Sequence, residues 1–325
     1  MVTYLVSAIS ISVVFLYGCI GEIITEKAGH LNLGIPGVMC LGCLGGCFGV
    51  ATYMNALSTQ GNAVYILLIL FAVLFAMIFA ALGGLIYAFL TVTLKCNQNI
   101  VGLALTTFGV GVTDYFMGVI NTDRFAYASK LLRKSLPFAK NLGWFGELFL
   151  SHDLLVYLGI AIAILVAVLI KKSRIGLNLR AVGENPATAD AAGVNINEYK
   201  YVAILVGSAI AGIGGVYYVM SYVGGSWENS STIEAFGWLA IALVIFSVWK
   251  PDLAIIGSFV FGLLNAFNSY AYSAFGISFS LSQKEIVKLL PYVVTLLVLI
   301  VTSIIGKKET QPPASLGLNY FREDR

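Results

Sequence analysis

Residues 171–200 read KKSRIGLNLRAVGENPATADAAGVNINEYK, a long polar block between two strongly apolar runs. Within it both ends of a miniature helix are written down. Asn185 is of a type that caps helix N-termini, Pro186 suits the first helical position, and Gly193 can close the last turn in a left-handed conformation. Between them stand Ala187, Thr188, Ala189, Asp190, Ala191 and Ala192, so apart from Asp190 no side chain is larger than threonine. One face of such a helix can enter a groove or approach another backbone closely. A helix this short does not persist alone. It needs its own membrane domain or a partner to hold it, which makes it a docking element.

The apolar runs around the block set the class. With 59% hydrophobic and 11% charged residues and a mean hydropathy of +0.90, the 325-residue chain lies far outside soluble globular composition. A membrane-spanning helix needs roughly 20 predominantly apolar residues. Nine segments qualify or nearly do, and eight to ten are allowed because the 63–94 run and the hairpin at Lys250, Pro251 and Asp252 are ambiguous. The expected fold is all-α, a polytopic transmembrane helical bundle. Residues 1–306 form a single transmembrane domain and 307–325 a polar tail. The start, Met1 to Tyr4, lacks the positive charge of a signal peptide, so residues 3–24 read as a retained first span. The net charge of +3 is too small to point to nucleic acid.

Cys19, Cys40, Cys43 and Cys47 lie in apolar stretches and Cys96 outside one, which implies no disulfide framework. Cys40, Cys43 and Cys47 share a helical face, but no histidine lies in the same span. Structural zinc favours closely spaced Cys and His on polar loops. These thiols read as small packing residues and no metal is expected.

Three stretches carry a family resemblance. GLNLRAVGENPATADAAGVNINEYKY at 176–201 resembles the cytoplasmic coupling segment of bacterial ABC importer permeases in the ribose, branched-chain amino acid and nucleoside superfamily. GHLNLGIPGVMCLG at 29–42 and FGWLAIALVIFSVWKP at 236–251 fit the same superfamily, the second being most similar to lipoprotein-dependent nucleoside permeases. The resemblance implies a type II importer permease in the bacterial cytoplasmic (inner) membrane, carrying a nucleoside or related small polar solute, with a sugar or a branched-chain amino acid as alternatives. It implies that Gly183, Glu184, Asn185, Pro186, Ala189, Asp190, Ala192 and Gly193 engage a separate ATP-binding subunit. ATP and magnesium are then used by that ATPase and not by this chain. The other implied partners are a second related permease, or a second copy, and an extracytoplasmic substrate-binding lipoprotein.

Along the chain, the first span ends in a short charged link at 22–30, followed by a glycine-rich segment. There Gly42 with Gly46, and Gly45 with Gly49, give overlapping small-xxx-small spacings. Asn32, Gly34 and Pro36 break the start of that helix, which membrane proteins tolerate where the break is buried or lines a cavity. The 63–94 run is one long span or a bent one around Gly83 and Gly84. In 100–119, Asp114 is the one carboxylate well inside an apolar span, and intramembrane ionisable residues are functional candidates. The connection 121–153 fits either a solvated loop with an amphipathic piece at the interface or a landing surface for a binding protein. Asn32, Thr107, Phe108, Asp114 and Asn268 are the candidate pathway residues. If 171–200 faces the cytoplasm, twelve of the nineteen Lys and Arg lie on that side, and five of the other seven fall in 121–153. The short loops then obey the positive-inside rule, and the C-terminus is cytoplasmic.

No Gly-x-x-x-x-Gly-Lys-[Ser/Thr] phosphate loop occurs, and two histidines without clustered carboxylates offer no catalytic site. The reading is a transport subunit and not an enzyme. An ion-coupled secondary transporter is the rival class, and it leaves the capped helix at 186–192 without a task.

Overall fold

The computed structural model describes residues 1–135, 142–276, 278–305 and 311–321, which contain helices and no strand. The expected positions 307–310 and 322–325 of the tail, and 136–141 of the long connection, lie outside the described residues. Among the described residues seven helices are long and apolar enough to cross a membrane: α1 (Val2–Lys27), α2 (Ile35–Ala56), α3 (Tyr65–Ala88, continuing to Thr93), α4 (Gln98–Met117), α7 (Leu154–Lys172), α10 (Ile196–Tyr217, continuing to Tyr222) and α12 (Pro251–Phe275). Two helices of sixteen residues, α11 (Ser231–Phe246) and α14 (Leu290–Ile305), stand where the remaining spans were expected. Shorter helices fill the connections: α5 (Phe125–Leu132), α6 (Gly143–Phe149), α8 (Arg174–Glu184), α9 (Pro186–Ala191) and α13 (Leu281–Val287).

The bundle is built around α2, whose apolar window is 89% buried. Lipid gives little driving force for helix association, so close backbone approach must supply it. The two glycine pairs of α2 do this on different sides. Gly45 and Gly49 receive the Phe71–Phe79 face of α3, and Gly42 and Gly46 receive α10. A β-carbon built on Gly42 would fall 2.2 Å from the Cα of Gly212. Neither backbone can yield without moving a helix, so Gly42→Val is expected to cost about 3 kcal/mol, the upper end of ordinary overpacking. Thermal unfolding in detergent checks this: Tm should fall by several degrees, whereas Gly61→Val, in open space, should leave Tm unchanged.

Several boundaries differ from the sequence reading. α1 does not end at Glu22 but continues to Lys27, taking Glu22 and Glu26 into the interior. The 63–94 run is one continuous helix through Gly83 and Gly84, where Leu41 and Ser208 pack. It widens into a π-turn over Phe89–Thr93. The last span starts at Leu290, after a capped turn at Ser280 and Gln283. In the long connection, α5 buries Phe125, Ala128, Ser129 and Leu132, and Arg124 donates to the carbonyls of Met54 and Leu57 at the end of α2.

Candidate functional site

The α8–α9 pair closes one end of the bundle, called here the hairpin end. Ser173 caps α8 by accepting from the Gly176 N–H (3.0 Å). Asn185 caps α9 by accepting from the Thr188 N–H (3.0 Å), with Pro186 at its first position. Gly193 leaves the helix at φ +84°, a conformation that glycine adopts without a β-carbon penalty. The local signals of the sequence therefore produce the turn they predict. From 184 to 193 the exposed residues are Glu184, Asn185, Thr188, Ala191, Ala192 and Gly193, with Pro186, Ala187 and Asp190 half-exposed, and α8 adds the exposed Arg174, Ile175, Leu177 and Arg180. Gly183 and Ala189 point the other way. Ala189 is 3% exposed, packed with Val182 and Ile196, and Gly183 rests on the last turn of α1, where a β-carbon would meet the Lys27 carbonyl. These two seat the hairpin and do not face a partner.

The seat has a second half that the sequence reading treated as a polar tail. Residues 311–321 cross the hairpin end and tie three elements together. Ser315 donates from its N–H (3.0 Å) and its hydroxyl (2.5 Å) to the Gly183 carbonyl. The Gly317 N–H donates to the Gly29 carbonyl (3.2 Å) in the α1–α2 link. Asn319 donates to the Lys95 carbonyl (2.6 Å) and accepts from Gln98 (3.3 Å) at the α3–α4 turn. Tyr320 donates to Asp190 (3.0 Å) on α9. The signal was present in the sequence: Leu316, Leu318, Tyr320 and Phe321 are too apolar for a solvated end.

Under this strap the α1–α2 link is non-helical yet buried, so its backbone groups need partners. The Leu31 N–H donates to Gln98 (2.9 Å) and the Asn32 N–H to Glu22 (2.9 Å). Tyr87 donates to the Leu31 carbonyl (2.7 Å), and Thr106 to that of Leu33 (2.9 Å). One turn along α1 from Glu22, Glu26 accepts from the Trp249 indole. Val248 and Trp249 both hold positive φ (53° and 52°), a strained pair for a β-branched and an aromatic residue. Asn32 Nδ2 and both ring nitrogens of His30 have no partner, and Glu22 Oε2 has none besides the neighbouring Glu26 carboxyl. Burial, with Lys200 nearby, pushes the His30 imidazole down to about 3, which leaves it neutral at physiological pH. Glu22, Glu26 and Trp249 were not among the sequence candidates, because the carboxylates read as the aqueous end of the first span. They correct the view of Asp114 as the one carboxylate inside a span.

The five expected pathway residues do not converge. Asn32 is fully buried in the link at the hairpin end. Asp114 is at the far end of α4, where it accepts from the Ser230 N–H (2.9 Å) and hydroxyl (2.8 Å) and fixes the start of α11. Thr107 and Phe108 face outward from α4, and the Thr107 hydroxyl bonds only its own helix, at Leu103 (3.2 Å). Asn268 is half-buried on α12, its Oδ1 unpartnered. The threonine that touches the broken segment is Thr106. It belongs to the buried face Gln98, Gly102, Leu105, Thr106, Gly109, Thr113, legible as small residues at helical spacing.

Comparison with known proteins places this geometry. Residues 4–299 match the family model described as "Branched-chain amino acid transport system / permease component". A glucose-named ABC transporter permease protein of Haloferax volcanii, TsgC13, is 31% identical over 80% of this chain and 75% of its own length. The nucleoside ABC transporter permease protein NupC of Lactococcus lactis is 29% identical over 94% of this chain and 93% of its own. The guanosine ABC transporter permease protein NupQ of Bacillus subtilis is 26% identical over 94% and 92%. Matched along nearly its whole length, the chain belongs to this permease family and is the multi-pass membrane subunit of an ABC importer, working with ATPase and partner permease subunits.

Proposed function

We propose that this permease imports a nucleoside and that the exposed face of α9, from Glu184 to Gly193, is where the ATP-binding subunit docks. The observation that carries the docking reading is the hairpin itself: a capped helix with a small-residue outer face, seated on α1 through Gly183 and held from the side by residues 311–321. A push on it reaches the α1–α2 link directly. The unpaired polar atoms of Asn32 and His30 support a link with a second arrangement, since each unsatisfied buried group costs about 1–3 kcal/mol.

The nucleoside reading rests on the relatives aligned almost end to end, which are named for nucleoside and guanosine, whereas the glucose-named one aligns over a shorter part. A sugar is the second reading, favoured by the higher identity of that relative. The hairpin end, the strap and the C-terminus are cytoplasmic in this scheme, in accord with the basic residues around the hairpin, and a binding lipoprotein delivers substrate on the other side. Thr107 and Phe108 stand where a second permease would complete a pathway with α4. Asn32 and Asp114, each committed to a bond inside the bundle, serve the architecture.

Uptake of labelled uridine, guanosine and glucose into cells carrying the assembled importer tests the reading. Nucleoside uptake is expected to require ATP and to survive collapse of the proton gradient. Glucose uptake without nucleoside uptake would overturn the substrate assignment.

A further inference from the structure

The end of the bundle opposite the hairpin holds a cavity of ≈ 490 Å³, within the roughly 300–1,000 Å³ range of small-molecule sites. It lies inside one subunit, between the start of α1, the start of α7 and the ends of α10 and α12, with Arg133 at its edge. Its lining is dominated by hydroxyl groups, with two valines as the aliphatic contribution.

Two features mark it as built. The first is the end of α10, which leaves α-helical geometry for a π-turn over Tyr218–Tyr222. One extra residue in the turn rotates the rest of the helix by about 100°, and here Ser221 and Tyr222 line the cavity. π-turns recur at functional sites because they cost stability without improving packing. The second is the polar arrangement. Ser221 is 4% exposed, and its buried hydroxyl has no partner besides the Asp153 carboxyl. It lies close enough to Asp153 to lower that carboxyl, against the dominant upward push of burial. Asp153 itself caps α7, accepting from the Val156 N–H through Oδ1 (3.1 Å), with the Leu155 N–H and the Ser221 hydroxyl also directed at the carboxyl; two carboxylate oxygens with about four lone-pair sites leave room for one further donor.

The charge balance narrows the ligand. His152 is kept neutral by burial, which lowers its pKa. Its Nε2–H donates to the Leu148 carbonyl (2.9 Å), and its Nδ1 accepts from the Ser10 hydroxyl (3.3 Å). Among the lining residues the formal charges are then Asp153 and Arg133, which cancel. The lining therefore carries no net charge to draw in an ion of either sign. A zwitterionic amino acid would find both charges but little aliphatic wall for its side chain. A neutral solute with adjacent hydroxyls meets a carboxylate oxygen able to accept from it, serine hydroxyls able to pair with it, and the Tyr222 ring for a planar face.

We propose that this cavity is a subsite for the vicinal diol of a neutral ribose- or hexose-bearing solute, formed within one permease subunit near the entrance to the pathway. The proposal rests on the nucleoside-or-sugar reading above and adds a location and recognition chemistry to it. Asp153 and Ser221 hold the diol, Tyr222 packs on the ring, and the neutral His152 fixes the wall through Ser10.

The test uses the assembled importer in nanodiscs. A Ser7→Cys variant, with its thiol at the cavity wall, is labelled by a small charged methanethiosulfonate reagent in the presence of uridine, 2′,3′-dideoxyuridine, ribose, glucose or leucine. Uridine should slow labelling and dideoxyuridine should not. Asp153→Asn keeps a good helix cap but loses the charge, and should weaken protection about tenfold, the scale of one charge-assisted hydrogen bond. Protection by ribose or glucose without uridine would sink the nucleoside reading and leave the diol site standing. Equal protection by uridine and dideoxyuridine, protection by leucine alone, or no protection by any of the five would overturn the site. Equilibrium binding of labelled uridine to the unlabelled importer and to Asp153→Asn repeats the comparison without the cysteine, and equal affinities there would also overturn it.

Discussion

Thr188→Trp is expected to abolish uptake while leaving the permease at normal level in the membrane. Thr188 lies on the exposed face of α9, its N–H bonded to Asn185 and its side chain free of the core. An indole there enlarges the surface without touching the seat, and blocking the centre of an interface costs about 3 kcal/mol or more, roughly a hundredfold in affinity. Co-purification of the ATP-binding subunit should fall with uptake. Ala189→Trp is the informative contrast. Ala189 is buried against Val182 and Ile196, so the bulky side chain must unseat the hairpin, and loss of protein from the membrane is expected as well. Normal ATPase co-purification with Thr188→Trp would remove α9 as the docking element.

Removing residues 311–325 should have the next largest effect. The strap supplies partners to the Gly183, Gly29 and Lys95 carbonyls and to the Asp190 carboxylate. At about 1 kcal/mol net for each hydrogen bond, deletion should loosen the hairpin end by about 4–5 kcal/mol. The spans themselves should stay folded, since α2 and its neighbours pack without the strap. Backbone hydrogen exchange should therefore rise at 29–32, 95–98 and 183–190 and remain slow in α2. Uptake should drop about tenfold or more while the ATPase subunit still binds, because motion of α9 would then reach the link through the Gly183 contact alone. Unchanged uptake with unchanged exchange would make the strap a passive cover.

The sequence and the structure agree most closely where the deciding interactions are local. The cap at Asn185, the proline after it and the left-handed Gly193 are each settled by a few neighbouring atoms. Span positions were equally legible, because desolvating a peptide backbone in lipid allows little besides an apolar helix. The pairing of Gly42 and Gly46 with α10, and of Gly45 and Gly49 with α3, lies between these cases. Spacing revealed two close-packing faces, and only the fold assigned each face its partner.

Charge was the misleading signal. Glu22 and Glu26 read as the edge of the membrane, yet the Asn32 N–H and the Trp249 indole hold them inside. Those partners are 10 and 223 residues away in sequence. Asp114 read as a pathway residue, and its partner Ser230 is 116 residues away. A buried polar side chain is defined by what satisfies it, and long-range partners leave no periodicity in a sequence.

The amino-acid sequence by itself determined that the chain is a polytopic helical membrane protein with a short capped helix in one polar connection, since composition and local turn chemistry suffice for both. Only the tertiary structure decided which side of that helix faces outward, that residues 311–321 bind it to the α1–α2 link, and that Arg133, Asp153 and Ser221 meet around one cavity at the opposite end. Each of these depends on contacts between segments far apart in the chain, and such contacts exist only once the helices have packed.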